Sequence, residues 1–277
     1  MVKPFIEVRG LEHAYPLEGG EWVPALQGID LTIEPGEFVA LIGSNGSGKS
    51  TLARHFNGLL LPTTGEVWVD GLLTSDPRHL WEVRQQVGMV FQNPENQLVA
   101  STVEEDVAFG PENLALQPDE IRRRVDEALA LVGLQDYSTH PPQMLSGGQK
   151  QLVAIAGVLA ARPACLVFDE PTSMLDPPSR RRILDTVRRL NAERGITVVL
   201  ITQSMEEAAS ANRVLAMHAG RVVLDGPPQE IFEQGERLRA LGLGLPPAVE
   251  IAHQLREQGL ALPPGLLTVD ALAGALC

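Results

Sequence analysis

Apolar and polar side chains alternate through residues 5–9, 21–33 and 65–73, between turn signals such as Glu34-Pro35-Gly36 and Thr63-Thr64-Gly65. A period of two marks strands with one face covered, so these segments predict an antiparallel layer. Phe38-Val39-Ala40-Leu41-Ile42, Cys165-Leu166-Val167-Phe168 and Thr197-Val198-Val199-Leu200-Ile201 are instead apolar without interruption. That pattern belongs to strands covered on both faces of a parallel sheet, and a helical stretch follows each. From residue 93 to 162 the chain turns charged and Ala/Leu-rich, with Pro118-Asp119-Glu120 opening a helix to about Leu131 and a second helix from about Gly148 to Ala161. We read this as a helical insert in an α/β core spanning residues 1–227. Residues 228–277 hold three short helix candidates divided by Gly242-Leu243-Gly244 and Pro263-Pro264-Gly265, which predict a small C-terminal helical lobe. No internal repeat is visible, so one catalytic unit is expected.

Candidate chemistry begins where the first buried run ends. Gly43-Ser44-Asn45-Gly46-Ser47-Gly48-Lys49-Ser50 fits the phosphate-loop pattern G-x-x-x-x-G-K-[ST], set between that strand and the helix starting near Thr51. Glycines let the backbone curl its amides toward phosphate oxygens, and the following helix adds the positive end of its dipole. Lys49 would hold the β- and γ-phosphates of ATP and Ser50 a Mg²⁺ ion. The fold class is therefore α/β, a phosphate-loop NTPase core with an added antiparallel layer. Asp169 and Glu170 close a second buried run, where the carboxyl edge of the sheet would present them to the same nucleotide. Asp169 suits Mg²⁺ through water, and Glu170 suits a general base on the attacking water. An Asp-Glu pair after a strand is more often an ordinary polar loop, and the phosphate loop reverses those odds.

Leu145-Ser146-Gly147-Gly148-Gln149 precedes a helix and forms a second potential anion site, with a Schellman-like turn as its ordinary structural reading. Lying between the phosphate loop and Leu166-Val167-Phe168-Asp169-Glu170, it resembles the signature of ABC ATPases, and residues 5–225 follow that family's motif order. The resemblance implies a head-to-tail dimer in which Ser146, Gly147, Gly148 and Gln149 serve the partner's ATP. It also implies that Tyr15, before the first long strand, stacks on adenine, that Gln92 touches Mg²⁺ or the lytic water and links the site to a membrane subunit, and that Asp176 crosses the dimer interface. Their ordinary readings are a core aromatic, a polar loop residue and a helix N-cap. One position departs from the pattern: where the family usually has a histidine contacting the γ-phosphate, Ile201-Thr202-Gln203-Ser204 has Gln203. A glutamine donates a hydrogen bond without positive charge, so a site that binds ATP but hydrolyses it slowly is expected, with Gln203 as an adequate substitute the alternative.

Phe91-Gln92-Asn93-Pro94-Glu95-Asn96-Gln97-Leu98 with Thr102 to Pro111 resembles the ATPases of energy-coupling-factor transporters, including their cobalt and nickel branch, as does the tail from Leu241 to the final short helix, which the resemblance makes part of a dimerisation lobe over 228–277. That resemblance implies a peripheral subunit on the cytoplasmic face of the cell membrane. It would pair with a second ATPase, expected to be a different chain with a homodimer as the alternative, and energise a transmembrane transmitter and a substrate-capture membrane protein that import a metal ion or vitamin. The ATPase of a solute-binding-protein-dependent importer and a non-transport ABC protein are the other readings. The formal charge of −13 argues against a nucleic-acid partner, with Arg180-Arg181-Arg182 read as a solvated helix face. Cys165 and Cys277 offer neither a disulfide framework nor metal-ligand spacing, and no window approaches the length of a membrane span or a signal peptide.

Overall fold

The computed structural model describes residues 3–17 and 19–277. The chain opens with β1 (Ile6–Pro16), β2 (Trp22–Ile33), β3 (Phe38–Gly43), α1 (Lys49–Phe56), β4 (Thr64–Val69), β5 (Leu72–Leu73), α2 (Leu80–Gln86) and β6 (Val87–Val90). Helices α3 (Val103–Asn113), α4 (Pro118–Val132) and α5 (Gly147–Ala160) follow, then β7 (Cys165–Asp169), α6 (Pro177–Arg194), β8 (Thr197–Ile201), α7 (Met205–Ala208), β9 (Arg213–His218) and β10 (Arg221–Gly226). Last come α8 (Pro228–Phe232), α9 (Gly235–Ala240), α10 (Pro247–Glu257) and α11 (Val269–Leu276).

A four-stranded antiparallel sheet, ordered β2-β1-β4-β5, forms the expected outer layer. Two details differ from the alternation pattern. The expected strand 65–73 is a tight hairpin, because Asp70 and Gly71 both take positive φ (47° and 80°) and reverse the chain between Val69 and Leu72. The first strand runs past residue 9 to Pro16, with register shifts after Val8, so Tyr15 stands on β1 opposite Val23 rather than before the strand.

The second sheet, ordered β10-β9-β3-β8-β7-β6, is parallel from β9 to β6 and carries antiparallel β10 at one edge. Its uninterrupted apolar runs resolve into two alternating sets. Phe38, Ala40 and Ile42 of β3, Leu166 and Phe168 of β7, and Val198 and Leu200 of β8 face a core shared with α3–α6. Val39, Leu41, Cys165, Val167, Val199 and Ile201 face a second core closed by α1 and the antiparallel layer. Each run has to be apolar at every position because both faces are covered. Truncating a side chain such as fully buried Phe168 would cost about 3–5 kcal/mol. Cys165 is a buried free thiol whose burial raises its pKa.

The helical insert shares the first core through Val103, Val107, Val125, Leu129, Leu152 and Ile155. The C-terminal segment contains four helices, one more than the three candidates. The first candidate breaks at Glu233-Gln234, where Gly235 passes so close to Leu245 and His253 that a Cβ would stand 3.1–3.2 Å from them. Ile231, Phe232, Leu238, Leu243 and Val249 belong to the large core, while Ala248, Ala252, Leu266 and Leu272 form a small one of their own.

Candidate nucleotide site

Parallel strands deliver motifs distant in sequence to one edge. Register pairs Leu41 of β3 with Ile201 of β8, Asp169 of β7 with Ile201, and Val90 of β6 with Phe168. The phosphate loop, Asp169-Glu170, Gln203 and Gln92 thus leave the same carboxyl edge, where ligands of open α/β sheets bind.

Residues 43–48 curl between β3 and α1. Gly48 caps α1 with φ 103°, and a Cβ there would lie 2.7 Å from the carbonyl oxygen of Ala25, so only glycine fits. Among the described residues, the backbone amides of Asn45, Gly46, Gly48, Lys49, Ser50 and Thr51 have no protein acceptor. Their donors, at a helix N-terminus, form a ready anion cradle. Lys49 is buried and its ammonium donates to the carbonyls of Gly43 (2.8 Å) and Ser44 (3.0 Å). Burial lowers its pKa, while the charges of Glu170 and Asp169 work against that shift.

Ser50 Oγ donates to Asp169 Oδ1 at 2.8 Å. Burial raises the Asp169 pKa, and the Ser50 hydrogen bond and the Arg54 charge oppose it. No cluster of three or more His, Cys, Asp or Glu able to hold a metal occurs among the described residues. A serine oxygen beside a single carboxylate nevertheless fits Mg²⁺, which takes one or two protein oxygens and fills its shell with phosphate and water.

Glu170 takes a left-handed backbone (φ 51°), rare for a residue with a Cβ, and is held by its amide on Ile201 O and by Ser173 N and Oγ on its own carbonyl. Gln203 Nε2 donates to Glu170 Oε1 at 2.8 Å and to Asn45 Oδ1 at 3.0 Å. Gln92 Nε2 donates to Ser173 Oγ at 3.0 Å. Gln92, Glu170, Ser173 and Gln203 line one cleft of about 530 Å³. Ser173 and the side chain of Asn45 are site members that the motif pattern did not single out for these contacts. Tyr15 stands partly exposed, with its hydroxyl 3.2 Å from Thr51 Oγ1 and its ring edge-on to His13 at 4.7 Å. His13 in turn meets fully buried His55 at 3.2 Å, and burial holds the His55 pKa down at about 4.

The signature stands apart. Among the described residues, no hydrogen bond joins 145–149 to the phosphate loop or to Glu170. Ser146 and Gln149 close a capping box on α5 in place of the Schellman-like turn, with Ser146 N on Gln149 Oε1 at 2.9 Å and Gln149 N on Ser146 Oγ at 3.3 Å. A Cβ on Gly147 would stand 3.4 Å from Leu175, and one on Gly148 would strike Ser179 Oγ at 2.5 Å. Asp176 caps α6, accepting from Ser179 N and Oγ, and its pKa is lowered by the backbone amide of Ser179 first. Helix α5 also carries the Gln92 loop, through Gln151 Nε2 on Phe91 O (3.1 Å) and the Lys150–Glu95 ion pair (2.5 Å).

Residues 26–173 match the family described as ABC transporter. The chain is 57% identical over 281 residues to the energy-coupling factor transporter ATP-binding protein EcfA1 of Symbiobacterium thermophilum, covering 100% of this chain and 98% of the relative. It is 51% identical over 250 residues to the cobalt import ATP-binding protein CbiO of Syntrophus aciditrophicus, covering 90% and 88%. Among solved structures it resembles cbiO1 from Clostridium perfringens, part of the ABC transporter complex cbiONQ, with TM-score 0.77, 38% identity and coverage of 90% of this chain and 99% of that one. It also resembles the dimeric ATP-binding cassette MJ0796 bound to ADP and Pi, with TM-score 0.73, 33% identity and coverage of 80% and 98%. Phosphate cradle, paired carboxylates and detached signature agree with these likenesses: the chain belongs to the ABC transporter family, among the ATP-binding proteins of energy-coupling-factor transporters, and is an ABC-type ATPase.

Proposed function

We propose that this chain binds Mg²⁺-ATP at residues 43–51, completes a second ATPase's site with its own signature, and hydrolyses ATP slowly at its own. One observation carries the reading: the amides and Lys49 that face phosphate lie at one sheet edge, whereas Ser146-Gly147-Gly148 share no hydrogen bond with them. A single chain therefore presents two half-sites. Tyr15 stacks on adenine, the loop amides and Lys49 bind the phosphates, and Ser50 and Asp169 hold Mg²⁺. When bound, Mg²⁺ offsets the negative charge on the β- and γ-phosphate oxygens. Glu170 accepts a proton from the attacking water, which Gln92 helps to place, and Gln203 donates toward the reacting phosphoryl group. In that role Gln203 has to leave Glu170 Oε1, since the same amide now donates to it. A neutral amide shared with the base supports the slow-site reading.

The groove beside Gln92, about 370 Å³ and bordered by Leu59, Arg84, Phe91, Gln97 and Phe109, receives the membrane transmitter in our reading. Phe109 and Leu59 are exposed apolar residues at its rim, and the Gln92 loop connects it to the reaction centre. No described helix is long and apolar enough to cross a membrane; likeness to the ATP-binding proteins of energy-coupling-factor transporters supports a peripheral place on the cytoplasmic face. Exposed Ile251, Leu260, Val269 and Leu276 on the C-terminal lobe supply apolar contacts for a paired ATPase. A slow site beside an intact signature favours a heterodimer. The cargo would be a metal ion or a vitamin, taken up by a separate capture subunit.

The test is Mg²⁺-dependent turnover of the wild type beside Gln203→His and Glu170→Gln, with ATP binding measured in parallel. The reading expects normal binding and slow turnover in the wild type, a rise of about tenfold or more with His at 203, and loss of turnover with Gln at 170. Fast wild-type turnover unchanged by Gln203→His would overturn the slow site and favour a symmetric homodimer.

A further inference from the structure

The wall of the same cleft holds a buried polar cluster, Thr172, Thr202 and Glu207, to which the hydrolytic reading gives no task. Glu207, on α7, is 2% exposed, yet its carboxylate is held by side chains from two separate segments. Thr172 Oγ1 donates to Oε1 at 2.7 Å and Thr202 Oγ1 donates to Oε2 at 2.6 Å, and both threonines are buried. Thr172 lies two residues after Glu170, and Thr202 immediately precedes Gln203. One carboxylate therefore joins the segment carrying the base to the segment carrying its hydrogen-bond donor. The Thr202 hydroxyl also accepts from Ser204 N at 3.0 Å, so the backbone is pinned on both sides of Gln203. A surface turn would need none of this, and burying a carboxylate is costly unless its partners are fixed.

A third segment reaches the cluster. Arg180, in the first turn of α6, places Nε 3.7 Å from Glu207 Oε1, beyond hydrogen-bond distance, and that buried Nε has no hydrogen-bond partner among the described residues. The same turn carries Asp176 and Ser179, the residue that Gly148 of the signature packs against.

We propose that Glu207 is a positioning residue for ATP hydrolysis: through the hydroxyls of Thr172 and Thr202 it fixes Glu170 and Gln203 opposite each other, and through Arg180 it ties that geometry to the start of α6. Glu207 touches no nucleotide in this scheme. Its loss should alter the alignment of the base, to which rates are steeply sensitive, and leave the phosphate cradle intact. The inference rests on Glu170 acting as the base.

The test uses the full chain assembled with its partner ATPase, with the partner's own site inactivated so that only this chain's site is read, and measures turnover at saturating Mg²⁺-ATP, ATP affinity and thermal midpoint. Glu207→Gln keeps the volume but can replace only one of the two accepting oxygens. We expect its maximal turnover to fall about tenfold or more with ATP affinity within about twofold. Thr172→Val and Thr202→Val should each lower turnover, and adding either to Glu207→Gln should cost little more, because the three act as one unit. Glu207→Gln turnover within twofold of wild type, or losses that multiply across the three sites, would overturn the proposal. If Glu207→Gln fails to fold, the two threonine variants decide it: unchanged turnover in both overturns it. Glu170→Gln run in parallel separates the premises, since its retention of activity would remove the base itself, whereas its inactivity beside a normal Glu207→Gln refutes the positioning role alone.

Discussion

Helices α1 and α5 both begin in glycine-rich loops and both offer backbone amides to an anion, yet they are built in opposite ways. Helix α1 is sunk between the two sheets: Leu52, Ala53 and Phe56 enter the second core, Lys49 and His55 are buried, and its cap is a left-handed glycine without a side chain. Among the described residues the amides of Lys49, Ser50 and Thr51 in its first turn find no protein acceptor, so the loop is held open by its surroundings. Helix α5 begins on the surface, and its Ser146–Gln149 box satisfies donors from within, leaving the N-terminus stable and exposed. The first arrangement suits a site preorganised for its own ligand. The second suits one that must keep its shape until a ligand held by another chain arrives. In the proposed function the same helix-end physics supplies two unequal halves of a site, distinguished by burial and capping rather than by motif strength.

The largest effect expected is on stability. His55 is buried neutral on α1, with its pKa depressed to about 4 chiefly by burial. The unfolded chain takes up a proton near pH 6.5 that the folded chain refuses until about pH 4. Acid therefore favours unfolding across that window, and the stability present above pH 6.5 falls by at most about 3 kcal/mol. Urea midpoints at pH 7 and pH 4 should show this loss in the wild type and a smaller one in His55→Leu; equal losses would mean that His55 is not held neutral by the α1 core. Gly148→Ala comes next, because its Cβ would collide with Ser179 and displace the start of α5. Turnover of the assembled complex should drop about a hundredfold while the isolated chain binds ATP as before. A parallel loss of ATP binding would merge the two half-sites. Tyr15→Ala should then weaken ATP about tenfold through lost stacking, read by equilibrium binding, with no change in the signature's contribution. Smallest is Gln149→Ala, which opens the capping box at about 0.5–1 kcal/mol and should lower the thermal midpoint slightly without altering ATP affinity.

The sheets were legible because their physics is local. Alternation in 21–33 and unbroken apolar character in 38–42, 165–168 and 197–201 map onto β2, β3, β7 and β8. Strand β6 was not singled out: its Val87-Gly88-Met89-Val90 run is short, and Gly88 is required there by the close approach of Val158. The Asp70-Gly71 hairpin was written in the chain, as was the Ser146-x-x-Gln149 capping pattern, yet a single-strand and a Schellman-like reading obscured them. Phosphate loop and acidic pair were readable since contiguous residues define them. The Gln203–Glu170–Asn45 and Thr172–Glu207–Thr202 contacts were not, because each joins residues brought together only by parallel strand register. The His13–His55 pair under Tyr15 is of the same kind, spanning β1 and α1.

The unequal half-sites are tested most directly by ATP affinity of the isolated chain set against turnover of the assembled complex, in Lys49→Ala and Ser146→Arg. Lys49→Ala should lose ATP affinity by about a hundredfold and turnover with it, whereas Ser146→Arg should bind ATP like wild type in isolation and lose turnover on assembly. If Ser146→Arg instead loses ATP affinity as a single chain, the signature serves its own phosphate loop and the two-half-site account is wrong.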